Sequence, residues 1–189
     1  MSKNIMIVGV GGQGSLLASK LLGNVLLECG YDIKLSEVHG MSQRGGSVVT
    51  YVKYGDRVYS PVIDKGEADC IVSFEALEAA RWLEYLKADG KIIVNTQQIY
   101  PMPVITGAMK YPENVIGKLS DKAQTVAVDA LELARQAGNV KAVNTVLMGV
   151  LSNYMDIDVE KWEAAIIKTV PAKLLDINKK AFELGRAYK

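Results

Sequence analysis

IMIVGVGGQG, residues 5–14, runs from apolar side chains into four glycines, and an amphipathic helical pattern follows at once. The apolar run predicts a buried strand, the glycines predict a tight turn and the pattern predicts a helix. Glycine turns this tightly without a side-chain clash and lets a backbone or a ligand approach closely. In the spacing Gly9-x-Gly11-x-x-Gly14, the unpaired N–H groups of the helix start can bind a phosphate or a carboxylate.

Two interpretations of this turn are open. In the first, the glycines only let the helix pack closely on the strand. In the second, they bind a dinucleotide, and an acidic residue at the end of the next strand, about 20 residues further on, holds the ribose. Glu37 is the available acid, although it lies a few residues beyond that spacing.

Composition indicates a globular protein with no electrostatic signature for nucleic acid. Of the 189 residues, 49% are hydrophobic and 23% are charged, and the formal net charge is only +1. A chain so close to neutral has no basic surface that would predict binding to nucleic acid or to an anionic membrane. No apolar run is long enough to span a bilayer, and the N-terminus lacks the pattern of a secretory signal, so we expect a cytoplasmic protein.

The rest of the chain alternates predicted strands and helices, which is typical of an α/β fold. We expect a Rossmann-like, open, mostly parallel mixed sheet with a β-hairpin and C-terminal helices. The predicted hairpin pairs residues 47–53 with 57–60, and a helix over 75–86 is expected to end in a turn at 88–90. The other predicted strands span residues 31–37, 70–73, 92–95 and 125–128.

The C-terminal part, about residues 143–189, is predicted to be helical within a single domain of residues 1–189. Apolar side chains recur at helical spacing from Val143 to Tyr154, the clearest such pattern in the chain. Gly149 lies inside this helix, where glycine costs about 1 kcal/mol relative to alanine, so we expect it to permit a close helix contact, either within the chain or with another chain.

A second glycine-rich segment, residues 37–46 (EVHGMSQRGG), is too polar for a regular element and is predicted to be a functional loop. His39 is the only histidine, so a metal site would need carboxylates that are not suitably spaced. Its imidazole can act as a base, or it can simply fix the loop by bonding to backbone. Arg44 can hold a carboxylate or phosphate through two hydrogen bonds, or an acidic residue of a partner.

No motif of a self-sufficient catalyst is present. The chain has no Gly-x-Ser-x-Gly elbow, no Walker A motif and no His-Glu-x-x-His, and its carboxylates are scattered. Cys29 and Cys70 are the only cysteines, too few for an iron-sulfur cluster held by four thiolates and too far apart to indicate a disulfide framework. We therefore expect a binding component, with no catalytic residue and no metal site of its own.

The two glycine-rich segments together, residues 9–14 and 37–48, resemble the gamma domain of 2-oxoacid:ferredoxin oxidoreductases. The His-Gly-Met-Ser-Gln-Arg-Gly-Gly version of the loop is most similar to the small (beta) subunits of indolepyruvate ferredoxin oxidoreductases. The resemblance covers essentially the whole chain. The glycine turn alone would be a weak signal, whereas the two segments together are specific.

The resemblance implies a complex that decarboxylates an arylpyruvate, passes electrons to ferredoxin and releases the acyl group as its coenzyme A thioester. Thiamine diphosphate and [4Fe-4S] clusters would lie on a large partner subunit of this hetero-oligomer, and coenzyme A could bind at the interface. This chain agrees, since it lacks the Gly-Asp-Gly segment typical of thiamine diphosphate sites. The alternatives are the gamma subunit of a pyruvate or 2-oxoglutarate ferredoxin oxidoreductase, a stand-alone protein that binds NAD(P) or coenzyme A, and a non-catalytic scaffold.

Open α/β sheets bind ligands at the carboxyl ends of their strands, so the two glycine-rich segments are expected to lie together there. They would face the thiamine site of the large subunit or the path of coenzyme A. The predicted ligand- or partner-facing residues are Gly9, Gly11, Gly12, Gln13, Gly14, Glu37, His39, Ser42, Gln43, Arg44, Gly45 and Gly46.

Overall fold

The computed structural model describes residues 2–40 and 45–188 of the chain. The strands are β1 (Lys3–Val10), β2 (Asp32–His39), β3 (Ser47–Gly55), β4 (Ala68–Ser73), β5 (Leu86–Asn95) and β6 (Gln124–Val128). The α-helices are α1 (Ser15–Glu28), α2 (Ala76–Arg81), α3 (Met102–Ile105), α4 (Val115–Ser120), α5 (Ala130–Ala137), α6 (Val143–Ser152), α7 (Val159–Thr169) and α8 (Leu175–Ala187). None of these described helices has the length and apolar character needed to cross a membrane.

The strands form one mixed sheet in the order β2-β3-β1-β4-β5-β6. β1, β4, β5 and β6 pair in parallel, whereas β3 is antiparallel to both of its neighbours, β1 and β2. The predicted mostly parallel mixed sheet with C-terminal helices is therefore confirmed. The carboxyl ends of the parallel strands and the start of β3 meet along one side of the sheet, which we call the carboxyl edge.

The hairpin of this sheet joins β2 to β3, so the predicted pairing of residues 47–53 with 57–60 is wrong. Residues 57–60 form no strand. β3 already has β1 on one side and β2 on the other, so it offers no free edge to a returning strand. Instead, the N–H of Val58 donates to Asp32 Oδ2 at 2.8 Å, which holds this segment against the start of β2.

The strand predicted at residues 92–95 begins earlier, at Leu86, and the helix before it is correspondingly shorter than predicted. The turn expected at residues 88–90 is wrong, because these residues lie inside β5 where its register with β4 shifts. A Cβ on Gly90 would lie 3.0 Å from the carbonyl oxygen of Ala68. Glycine here marks a closely packed irregularity within a strand.

Alternate side chains of each strand enter separate cores on the two faces of the sheet. Ile5 and Ile7 of β1 pack in a core shared with α1 and with helices α5 to α8. Met6 and Val8 pack on the opposite face, in a core shared with α2 and α4. The chain thus forms three layers, with the helical C-terminal part covering one face.

The close helix contact predicted from Gly149 is confirmed. A Cβ on Gly149 of α6 would lie 3.0 Å from the backbone nitrogen of Arg186 and 3.1 Å from the Cα of Gly185, both in α8. The two helix backbones therefore meet with no side chain between them. Every residue of α6 is buried, so this contact ties α8 directly to the interior of the protein.

Candidate ligand- and partner-binding site

The turn after β1 begins the candidate site at the carboxyl edge. Gly9 is buried there, and a Cβ on it would lie 2.9 Å from both Phe74 Cβ and Gln13 Oε1. Gly12 and Gly14 have φ angles of 100° and 88°, in the left-handed region that favours glycine. Close packing therefore accounts for Gly9, whereas the shape of the turn accounts for Gly12 and Gly14.

Gln13 closes the turn through hydrogen bonds within the chain. Its Oε1 accepts from the Val10 N–H at 2.7 Å, and its Nε2 donates to the Phe74 carbonyl oxygen at 3.0 Å. Nε2 also lies 3.4 Å from Gln97 Oε1. The side chain thus ties the end of β1 to the residues that follow β4 and β5, which leaves it little capacity for a ligand.

The two glycine-rich segments lie side by side. The N–H of Gly11 donates to the Gly46 carbonyl oxygen at 2.9 Å, and the N–H of Gly45 donates to the Gly11 carbonyl oxygen at 3.4 Å. The start of β3 is therefore fastened to the turn after β1. Three of the predicted site residues lie outside the described part of the chain: Ser42, Gln43 and Arg44.

Glu37 and His39 lie at the end of β2 and border the same turn. They line a cavity of about 390 Å³ whose other lining residues are Gly11, Gly12, Gly14, Ser15, Leu16 and Val48. Glu37 Oε2 accepts a hydrogen bond from Thr50 Oγ1 at 3.3 Å. Nδ1 of the exposed His39 lies 3.2 Å from the carbonyl oxygen of Gly40, which is the backbone contact expected of a histidine that fixes its loop.

The position of β3 weakens the dinucleotide interpretation of the turn. In a dinucleotide-binding sheet the second strand pairs with the first, so its terminal acid reaches a ribose beside the glycines. Here β3 lies between β1 and β2, which separates Glu37 from β1 by two strand spacings, on the order of 10 Å. Glu37 is therefore not placed as the ribose-binding acid of such a fold.

A larger cavity, of about 670 Å³, also borders the glycine turn, and we call it the amide groove. It lies between the turn, residues 139–144 at the start of α6 and residues 169–171 ahead of α8. Asn144 is only 3% exposed, and its Oδ1 accepts from the Thr145 N–H at 2.8 Å. That bond turns Nδ2 toward Gly14, and among the described residues Nδ2 has no hydrogen-bond acceptor.

The amide groove has the donors that an anionic group requires. Gly14 is the N-cap residue of α1 and has no side chain to cap it, so the positive end of the helix dipole is uncovered at the groove. Lys141 lies at the rim and forms no ion pair with another described residue. An uncapped helix start, a free amide N–H and a lysine together suit a phosphate or carboxylate.

A buried carboxylate lies at the same edge, two residues after the end of β4. Glu75 is 1% exposed, and its Oε2 accepts from the Glu78 N–H at 2.9 Å, which caps α2. Its Oε1 accepts from the Ile99 N–H at 3.1 Å and from the Tyr111 hydroxyl at 2.6 Å. Burial and the carboxylate of Glu75 raise the pKa of Tyr111, so its hydroxyl stays a donor.

Glu78, a second buried carboxylate, ties α2 to the start of β3. It accepts a hydrogen bond from Ser47 Oγ and another from Arg81 Nε at 3.0 Å. Both carboxylates are thus engaged with the segments that frame the candidate site. Their role is to position those segments.

Three residues of this region, Asn144, Lys141 and Glu75, are not among the predicted site residues. Asn144 lies in an otherwise apolar helix pattern, and a polar residue in the first turn of a buried helix is the signal that could have identified it. Glu75 lies two residues after the end of a buried strand, in the region where α/β sheets place functional side chains.

The cysteines of this chain do not fit an iron-sulfur cluster. Cys70 is buried in β4, and that burial raises the pKa of its thiol to about 12, which opposes the thiolate that ligation requires. Cys29 stands after α1, in a different element. Within residues 2–40 and 45–188, no group of three or more histidine, cysteine, aspartate or glutamate side chains is placed to hold a metal ion.

The fold and the carboxyl-edge segments define the class to which this protein belongs. The family model described as pyruvate ferredoxin/flavodoxin oxidoreductase matches residues 4–188. The chain is a member of that family, as its two glycine-rich segments predicted.

Within the family, the chain is similar to subunits of indolepyruvate oxidoreductases along most of its length. The chain is 43% identical to the indolepyruvate oxidoreductase subunit IorB of Thermococcus kodakarensis and 44% identical to IorB of Pyrococcus horikoshii. Each match covers 96% of this chain and 93% of the relative. The pyruvate synthase subunit PorC of Methanosarcina barkeri is 31% identical, over 87% of this chain and 84% of that protein.

Solved structures share the fold. The pyruvate oxidoreductase subunit PORC of Thermotoga maritima matches with a TM-score of 0.77 and 24% identity, over 99% of this chain and 96% of that one. The gamma subunit of a keto/oxoacid ferredoxin oxidoreductase from Geobacter sulfurreducens matches with a TM-score of 0.74 and 22% identity, over 98% and 97% of the two chains.

Proposed function

We propose that the chain is the small subunit of an indolepyruvate:ferredoxin oxidoreductase and is active only with a large partner subunit. The observation that carries this proposal is the 43% and 44% identity to two indolepyruvate oxidoreductase subunits along nearly the whole chain. The pyruvate synthase relative is more distant, at 31%, which favours indolepyruvate over pyruvate as the substrate of the complex.

The complex would convert an arylpyruvate and coenzyme A into acyl-coenzyme A, carbon dioxide and a proton, while two ferredoxins each take up one electron. We assign thiamine diphosphate and the [4Fe-4S] clusters to the large subunit, because the cysteines of this chain do not suit cluster ligation. The complex would work in the cytoplasm.

The part of this chain in the reaction is to cover the large subunit's site and to help bind a substrate. The carboxyl edge, where the described parts of both glycine-rich segments meet, is the surface we assign to that contact. A role for Arg44 in the same contact stays a prediction, since this residue lies outside the described part of the chain. We treat residues 1–189 as one unit, since the C-terminal helices share a core with the sheet that carries the edge.

We place the phosphate groups of coenzyme A in the amide groove. Asn144 Nδ2 would donate to a phosphate oxygen, and Lys141 would offset its charge. The glycine turn lets an anion approach the start of α1. Coenzyme A, when bound, supplies the thiol that takes over the acyl group.

The first test is an anaerobic affinity purification of the tagged chain from its native cytoplasm. We expect a large subunit to co-elute, together with iron, acid-labile sulfide and thiamine diphosphate. Added indolepyruvate and coenzyme A should then reduce an electron acceptor. A chain that elutes alone, and binds NAD(H) or NADP(H) in solution, would replace the proposal with a stand-alone nucleotide-binding protein.

The groove assignment predicts that Asn144→Ala and Lys141→Ala weaken coenzyme A binding by the purified complex. A hydrogen bond to a charged group contributes about 1.5–3 kcal/mol, so Kd should rise about tenfold or more. Isothermal titration of the complex with coenzyme A measures this directly. Lys122→Ala, an exposed lysine at the opposite end of the sheet, is the matched control and should leave Kd unchanged. Equal affinities in all variants would remove the groove from the proposal.

A further inference from the structure

An exposed apolar segment follows β5 at the carboxyl edge. We call residues 99–111, which include the one-turn helix α3, the arm. Four of its large apolar side chains are between 54% and 66% exposed: Tyr100, Met102, Ile105 and Met109. Single exposed apolar residues are ordinary, whereas a cluster in one short segment marks an interaction surface.

Buried contacts hold the arm in place at both ends. The N–H of Ile99 and the hydroxyl of Tyr111 both donate to Glu75 Oε1, at 3.1 and 2.6 Å. The ring of Tyr111 also lies against that of Tyr100, with centroids 5.2 Å apart. Hydrogen bonds to a carboxylate hold both ends of the arm, which reduces the conformational freedom that the segment would lose on docking.

The arm is continuous with the two glycine-rich segments. Ile99 and Pro101 line a cavity of about 280 Å³ together with Val10, Gly45 and Ser47. The base of the arm therefore lies beside the start of β3, which is hydrogen-bonded to the turn after β1. Whatever covers those segments also comes within reach of the arm.

We propose that the arm is a docking surface for the large subunit, with Ile105 and Met109 as its apolar anchors. The inference rests on the proposed function, in which the large subunit covers the carboxyl edge. The complementary surface on that subunit would be an apolar groove, since the side chains with which the arm would make contact, Ile105 at the end of α3 and Met109 after it, are apolar and exposed. Methionine side chains are unbranched and flexible, so they can fill the irregular floor of such a groove.

The test compares Ile105→Asp and Met109→Asp with Tyr59→Asp. Tyr59 is 81% exposed and follows the end of β3, beyond the opposite edge of the sheet, so it is a matched control for adding a charge to an exposed apolar position. Each full-length chain is titrated onto the purified large subunit under anaerobic conditions, and its thermal unfolding is recorded separately. We expect Kd to rise about tenfold or more for each arm variant, as for an interface anchor, and to stay constant for Tyr59→Asp. The unfolding midpoints should match that of the wild type.

The outcomes separate this inference from the function on which it rests. A wild-type chain that fails to bind the large subunit contradicts the proposed function. Normal wild-type binding, with both arm variants binding equally well, overturns the docking surface alone. A wild-type homodimer that Ile105→Asp dissociates, with unchanged affinity for the large subunit, would also overturn it and assign the arm to a second copy of this chain.

Discussion

Gly9 has no room for even one methyl group. Its added Cβ would lie 2.9 Å from Phe74 Cβ, which is a side-chain atom too close to the backbone to move away freely. We predict that Gly9→Ala lowers the free energy of unfolding by about 1–3 kcal/mol, the usual cost of overpacking. Urea denaturation measures this change.

Gly40→Ala is the control for that substitution. Gly40 is exposed at the end of β2, and nothing lies within 4 Å of the Cβ it would gain. The free energy of unfolding should change by no more than about 0.5 kcal/mol. Equal effects at Gly9 and Gly40 would mean that packing is not what requires glycine at position 9.

Some residues of the site could be predicted from the sequence, and others could not. The glycine spacing located the turn and its neighbour, because backbone conformation leaves a local mark on the sequence. It could not show that Gln13 would be engaged with Phe74, or that Asn144 would turn toward Gly14, because both contacts join segments distant in the chain. Those positions depend on strand order, which no local pattern encodes.

Replacing glycine by alanine should change stability differently at two positions inside helices. Glycine costs about 1 kcal/mol relative to alanine in a helix, so substitution should stabilise wherever a methyl group fits. At Gly149 the new Cβ would meet the backbone of α8, which cannot yield without separating two helices. We predict that Gly149→Ala lowers the free energy of unfolding by about 2 kcal/mol or more, as overpacking does.

Gly23 of α1 is the matched case. Its new Cβ would lie 3.2 Å from Leu35 Cδ1, the end of a flexible side chain that is itself exposed, so Leu35 can move aside. Gly23→Ala should leave stability unchanged or raise it by up to about 1 kcal/mol. Thermal or urea unfolding of both variants decides the comparison, and a stabilising Gly149→Ala would contradict the account of the contact between α6 and α8.

Elements were predicted well where periodicity was strong and poorly where turn residues misled. The apolar repeat of α6 identified a helix that is indeed buried along its whole length. The sequence predicts a hairpin turn around Gly55, with a paired strand after it, and a turn at Gly90 after a helix. Gly55 ends a strand whose two edges are already occupied, and Gly90 lies inside a strand against Ala68. Glycine occurs both in turns and at closely packed positions inside a strand. The sequence alone does not separate the two cases, because they differ in how the strands pair.

A buried thiol, of Cys70, and a half-buried phenol, of Tyr54, predict that the protein loses stability at high pH. Burial raises the pKa of Cys70 to about 12 and that of Tyr54 to about 12. Between the ordinary pKa of each group and the raised one, the unfolded chain releases a proton that the folded chain keeps. Stability is therefore full below about pH 9 and falls above it, by up to about 1.4 kcal/mol per pH unit for each such group.

The measurement is the free energy of unfolding between pH 8 and pH 11, in wild type and in Cys70→Ala. The variant should show a shallower decline at high pH, whatever its stability at neutral pH, because one of the titrating groups has been removed. A flat wild-type profile, or identical slopes in the two proteins, would contradict the assigned burial of Cys70.

The position of β1 within the sheet affects how the chain can fold during its synthesis. β1 comes first among the strands of this chain, yet it lies between β3 and β4, and both are synthesised later. While the nascent chain leaves the ribosome, one hydrogen-bonding edge of β1 stays unpaired until β4 has emerged, and pairing the two must close a long loop. An apolar strand with an unpaired edge can pair with other chains during that interval, so residues 5–8 are a segment at which the nascent protein can aggregate.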